Sequence, residues 1–363
     1  MENKKTIPWI SCAKFMAIFG VLISHSWRIL KINEEYVWGV TYCVSLFILI
    51  SGLLSYRSNV HHNYTYIQSI VHSLKKIIIA YLIATFICQA WSYKTFDFIR
   101  YVKGLIAFPG PFYYVFLYIH LMLVSKVLYN LIAFKTRICL LKDLTVGYCV
   151  IVISYISTNY SNILNVFGGG GRLFGGTYLF LFYLGMIFEK YKIFERITIV
   201  KSLLAMTIGG AVYLGFWIFA CNDRLKLDGL VHFGGFNPPG ITFMSLSLGM
   251  IFLCYGLFNI INRIKPLSFV IRFVSFLGSH TLYIFLYHKF FLDYILRPYV
   301  QISDDYARFM VYISVMTGSS IFLEFFIGCL VKSYCHISQK VKDSHCIVNS
   351  IHTADIQAAE ERS

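Results

Sequence analysis

The chain has 363 residues, of which 58% are hydrophobic and only 13% charged, with a mean hydropathy of +0.66. A water-soluble domain carries about a quarter charged residues, so this composition argues against a soluble enzyme, a disordered protein or a nucleic-acid-binding domain and points to a membrane protein. The 32 Lys and Arg against 17 Asp and Glu give a formal charge of +15, which in a multispanning chain reflects basic cytoplasmic loops rather than a polyanionic partner.

A helix needs about 20 apolar residues to cross the hydrocarbon core. Ten apolar runs of roughly that kind follow one another: 8–28, 38–56, 76–92, 112–133, 144–158, 174–189, 200–220, 240–261, 275–296 and 308–331. The expected fold is therefore an all-α polytopic membrane protein of about ten transmembrane helices in one bundle over residues 1–331. A polar tail over 332–363, expected to be disordered and cytoplasmic, completes it. The first run lacks a small-residue cleavage site, so insertion is expected to be signal-anchored. An even number of spans puts both termini on one side. The segments of that side hold 19 Lys and Arg and the opposite segments 10, which predicts that both termini face the cytoplasm.

The connections are short except for about 93–111, 159–173 and 221–239, which are rich in Gly, Asn and Pro. The run of glycines from Gly168 to Gly171 has no Gly-Lys-Ser/Thr after it and is no phosphate loop. Asn237, Pro238, Pro239 and Gly240 read as a turn before the eighth run. The ten cysteines form no CxxC pair and lie mostly in apolar runs, where they act as small hydrophobes.

Chemistry has to come from the polar residues the spans tolerate, because ionisable groups in hydrocarbon are costly and usually face an interior cavity. The first run carries Ser11, Lys14, Ser24, His25 and Ser26. Lys14 and His25 are eleven residues apart, three helical turns plus about 20°, which sets them on one face about 16 Å apart. The plainer reading has Lys14 snorkelling to the interface and His25 bonded to a carbonyl there. His288, in the ninth run, lies at a depth of about 20 Å against about 25 Å for His25, so the two imidazoles could share a cavity, or His288 could simply pack between helices. Lys289 and Asp293 have the spacing of a helical ion pair. Glu324, in mid-span, requires a cationic partner or a proton. His120 and Lys126 either line a path through the fourth span or pack. His61 and His62 are adjacent, lack neighbouring Cys or carboxylate ligands, and are not expected to bind metal. Trp27, Trp38, Trp91 and Tyr93 read as interfacial belt residues.

Taken in order, several segments resemble the membrane acyltransferase 3 family, the multispanning O-acyltransferases of bacterial surface glycans. SCAKFMAIFGVLISH carries a basic residue, Lys14, then ten intervening residues and His25, in the manner of that family's first span. SLFILISGLL, with Phe47, Ser51 and Gly52, is similar to the end of its second span, and LGSHTLYIFLYH, with Gly278, Thr281, Tyr283 and His288, to a late one. The Gly-containing LFYLGMIFEK and the turn at Pro238 and Pro239 fit the same order. There are two departures. Lys14 stands where the family usually has Arg, giving up a bidentate fork for a point charge, and the third span offers Lys75 and Lys76 in place of an Arg cluster.

The resemblance implies a multi-pass protein of the bacterial inner membrane that moves an acyl group, most often acetyl, from cytoplasmic acyl-coenzyme A to a hydroxyl of a glycan or glycolipid. It implies a catalytic site at His25, the general base, with His288 as the second imidazole. Lys14, Lys75 and Lys76 would bind the coenzyme A phosphates, with Lys135, Arg137 and Lys142 as further cations nearby. The implied partners are acetyl-coenzyme A, the acceptor and the lipid bilayer, with no metal and no nucleic acid. The competing class is a transporter or flippase, although carriers commonly show internal repeats and paired broken helices, and neither is legible in the sequence. A non-catalytic scaffold would need no aligned Lys and His.

Overall fold

The computed structural model describes residues 7–62, 64–95, 97–107, 112–134, 136, 138–160, 173–195, 198–221 and 238–360, those at 107, 160, 332 and beyond 333 by their backbone. Among the described residues every regular element is helical. In chain order they are α1 (Pro8–Ser26), α2 (Glu34–Gly39), α3 (Cys43–His62), α4 (Tyr66–Tyr93), α5 (Phe98–Ala107), α6 (Tyr113–Ala133) and α7 (Cys139–Tyr160). Then come α8 (Tyr178–Lys190), α9 (Ile199–Cys221), α10 (Ile241–Arg263), α11 (Ser268–Ser279), α12 (Thr281–Phe291) and α13 (Asp305–Glu360). Local chemistry fixes several starts. Pro8 opens α1, where its missing N–H costs nothing. Thr65 and Gln68 form a reciprocal capping box at α4, and Asp97 accepts from the Ile99 and Arg100 amides at 2.9 and 3.2 Å ahead of α5.

Each of the ten apolar runs falls on a helix, but not every helix is a simple crossing. Eight described helices are long and apolar enough to span, and α11 with α12 and its continuation to Tyr299 forms a ninth, bent by 71°. The remaining run is α8, only 13 residues and so about 20 Å long. Its start is delayed by a tight turn in which Gly175 and Gly176 adopt positive φ (82° and 58°), a conformation that glycine adopts without strain. The connection expected at 93–111 contains α5, whose apolar Phe98, Ile99, Val102, Leu105 and Ile106 alternate with Arg100 and Lys103 in the manner of an interfacial helix. The last helix continues through the expected tail to Glu360. Gly168 to Gly171, Lys135, Arg137 and Asn237 lie outside the described residues.

Close helix contacts are made through small residues, as bilayer packing requires. At the α3–α8 crossing, a β-carbon on Gly52 would collide with the Phe182 carbonyl, and one on Gly185 with the Leu49 carbonyl. Arg57 fastens the same two helices with a fork to Glu189 (2.6 and 3.0 Å). Gly278 lets α11 lie against the Ser11 carbonyl of α1. Nearby, Asp143 gathers Lys190, Lys142 and the Tyr191 hydroxyl (2.8 Å), while both lysines donate to the Ile132 carbonyl at the end of α6. The hydrogen bond to Asp143, together with burial, pushes the Tyr191 phenol up to about 12, so it stays a donor. The centre of the bundle is α1, α3 and α10. By contrast, α9 buries only 6% of its apolar window against 67% for α10, so α9 presents most of its surface to lipid.

Candidate active site

The face of α1 that carries Lys14 and His25 borders two cavities. The first, of about 280 Å³, is lined by Lys14, by Phe47 and Ser51 of α3, by Ser73 and Lys76 of α4, by Tyr114 and Tyr118 of α6, and by the α11–α12 break at Ser279 and Thr281. The second, of about 420 Å³, is lined by Val21, Ser24 and His25 of α1, by Trp27 and Arg28, by Glu34 and Trp38 of α2, and by Tyr113 and Tyr178.

Lys14 and Lys76 make the first cavity cationic. Lys76 pairs with Glu324 at 3.5 Å, and Glu324 also meets His280 Nδ1 at 2.7 Å. Lys14 forms no ion pair among the described residues and faces Lys76 as its charged neighbour. Two ammonium groups against the one carboxylate of Glu324, which pairs with Lys76 alone of the two, leave a net positive site able to hold an anion. Lys75, one residue and 100° round the helix from Lys76, is exposed and lines neither cavity. Lys142 is committed to Asp143 and to the α6 carbonyls, and Lys126 is buried over the Tyr129 ring at 4.8 Å. Among the described cations expected to act together, Lys14 and Lys76 line the cavity and Lys75 and Lys142 do not.

At the other end the two imidazoles meet. The ring centroids of His25 and His288 are 5.0 Å apart with planes tilted by 34°. His25 exposes its ring to the second cavity. His288 is fully buried, and its Nδ1 lies 2.7 Å from the Phe285 carbonyl and 3.2 Å from that of Ile284. Carbonyls only accept, so Nδ1 carries the proton in the neutral ring and Nε2 is left as an acceptor. That Nε2 is buried with no partner among the described residues. An imidazole open to a cavity, backed by a second imidazole of fixed tautomer, is suited to taking a proton from a group entering the cavity.

One reading of the sequence needs correction. Asp293 pairs with Arg297 at 3.3 Å rather than with Lys289: the carboxylate sits at the start of a π-helical turn over Leu292–Leu296 and finds its cation on the C-terminal side, an alternative i, i+4 partner. Trp38, read as an interfacial belt residue, stacks on Phe243 (5.9 Å, 8°) and, like Trp27, lines the second cavity. Residues at the sites that were not singled out in the sequence include His280, Glu34 and Phe285. The Gly278-Ser279 pair ahead of His280 is the kind of step at which helices kink and was the available signal for the break. Nothing in the local sequence marks Phe285 or Glu34.

The family model described as an acyltransferase domain, that of the acyltransferase 3 family, matches residues 7–334. No curated protein and no solved structure matches the chain.

Proposed function

The chain belongs to the acyltransferase 3 family, and from that premise we propose that it is a membrane O-acyltransferase that takes acetyl from cytoplasmic acetyl-coenzyme A to a hydroxyl of a surface or lipid-linked glycan in the bacterial inner membrane. The observation that carries the reading is the pair of cavities along one face of α1, cationic at Lys14 and Lys76 and imidazole-lined at His25 and His288. The donor's phosphates are held at Lys14 and Lys76 on the cytoplasmic side, which the surplus of basic residues on that side supports. The acceptor enters the cavity of His25. Its hydroxyl oxygen attacks the thioester carbonyl carbon as His25 takes the hydroxyl proton; the carbon–sulfur bond breaks and coenzyme A leaves as thiolate, which is then protonated. His288 is a positioning residue: its Nε2 accepts the N–H of the imidazolium that forms at His25. Tyr113, Trp27 and Trp38 offer ring faces on which a sugar can lie.

The test is turnover of acetyl-coenzyme A by purified protein in detergent, joined to mass spectrometry of surface glycans from cells with and without the gene. Loss of a glycan acetyl group together with the gene supports the reading. A purified protein that neither binds nor cleaves acetyl-coenzyme A overturns it.

A further inference from the structure

Among the described residues the two cavities have a single lining residue in common, Phe285. The residue is 4% exposed, and its ring packs on Tyr114 at a centroid distance of 4.8 Å and lies 5.9 Å from that of His288. Phe285 thus borders both the Lys14 cavity and the His25 cavity. The helix that carries it is short and interrupted at both ends. α12 has 11 residues, starts at the 71° bend beside His280, and runs into the π-helical turn at Leu292–Leu296. Interruptions of this kind let a helix segment rotate or change register with little loss of hydrogen bonding, and a helical Phe has two accessible χ1 wells.

We propose that Phe285 is a selectivity septum between the two cavities: its ring swings aside to admit a short acyl group to His25, and in its resting position it excludes longer acyl chains and water. This rests on the acyl-transfer reading above for the identity of the passing group, but not for the partition itself. A bulky aromatic in the shared wall sets how large a thioester substituent can advance. It also keeps bulk water from the thioester until an acceptor arrives, which is how closed sites suppress hydrolysis.

Two experiments test it. In the first, wild type, F285A and the milder F285V are compared on acetyl-, butyryl- and hexanoyl-coenzyme A without acceptor, following free thiol, with coenzyme A binding measured on the same samples. F285A is expected to hydrolyse acetyl-coenzyme A about tenfold faster than wild type once water is admitted, to accept the longer donors, and still to bind coenzyme A, with F285V intermediate. A variant that binds coenzyme A normally yet keeps the wild-type hydrolysis rate and chain-length profile overturns the proposal. If F285A does not fold, F285V carries the comparison.

The second experiment needs no enzymatic activity. In oriented proteoliposomes, Ser24→Cys on the His25 cavity is exposed to a membrane-impermeant thiol reagent, and modification is read on the Ser24 peptide by mass spectrometry. With Phe285 present, labelling is expected from the His25 side alone; with F285A, from both sides. Labelling from the Lys14 side with Phe285 intact overturns the septum. Absence of coenzyme A binding by wild type would instead remove the acyl-transfer reading and leave this accessibility result to decide the partition.

Discussion

Lys14 and His25 share one helix face, yet the roles proposed for them separate in kinetics. Removing a general base costs about a hundredfold to ten-thousandfold in rate, so His25→Ala and His25→Gln should both lose glycan acylation while still binding coenzyme A. Near-normal turnover in His25→Gln would make the imidazole a packing group and move the search for a base to His288. A charge-assisted contact is worth about 1.5 to 3 kcal/mol, so Lys14→Ala should raise the donor KM roughly tenfold to a hundredfold, with Lys14→Arg tolerated. Lys76→Ala should behave like Lys14→Ala and Lys75→Ala like wild type, because only Lys76 reaches the cavity; equal effects at 75 and 76 would refute the assignment. The Lys14 and His25 positions were legible because a fixed helical rise and turn convert an eleven-residue spacing into a shared face. The division between Lys75 and Lys76 was not, since it depends on which side of α4 meets α1.

At the scale of elements, the apolar runs located the helices but not their contacts. A helix that is apolar all round can bury any face, so the sequence pattern could not orient α4, α8 or α9 within the bundle. Nor could it distinguish a continuous ninth span from one broken at His280, where the partner that holds the break, Glu324, comes from a helix 44 residues further on. The glycine crossings give a direct check. Gly52→Leu and Gly185→Leu force α3 and α8 apart, and overpacking of this sort costs about 1 to 3 kcal/mol; a clear drop in thermal midpoint in detergent is expected. A β-carbon added at Gly215 of α9 would meet nothing within 4 Å, and Gly215→Leu should leave the midpoint where it is. Comparable losses at Gly215 and Gly52 would show that the α3–α8 contact is not the cause.

For the molecule as a whole, the charge asymmetry and the even number of runs predict that the Lys14 end and both termini share the cytoplasmic side. Reporter fusions or cysteine labelling at Lys31 and Lys192 test this, since the two positions should be reached from opposite sides; labelling of both from one side would contradict the topology. The partition at Phe285 has an electrical consequence. Cavities entering from opposite ends bring conducting solution close to a single ring, so a membrane voltage falls across that thin layer instead of over the full hydrocarbon thickness. When the acceptor's proton leaves on the His25 side and the thiolate emerges on the Lys14 side, charge is separated across the layer. A potential negative on the Lys14 side opposes that separation by up to about 2.3 kcal/mol per 100 mV. Acyl transfer in proteoliposomes should therefore slow as a potassium diffusion potential of that sign is imposed, and F285A, which joins the two cavities, should weaken this dependence as well as the selectivity for the donor.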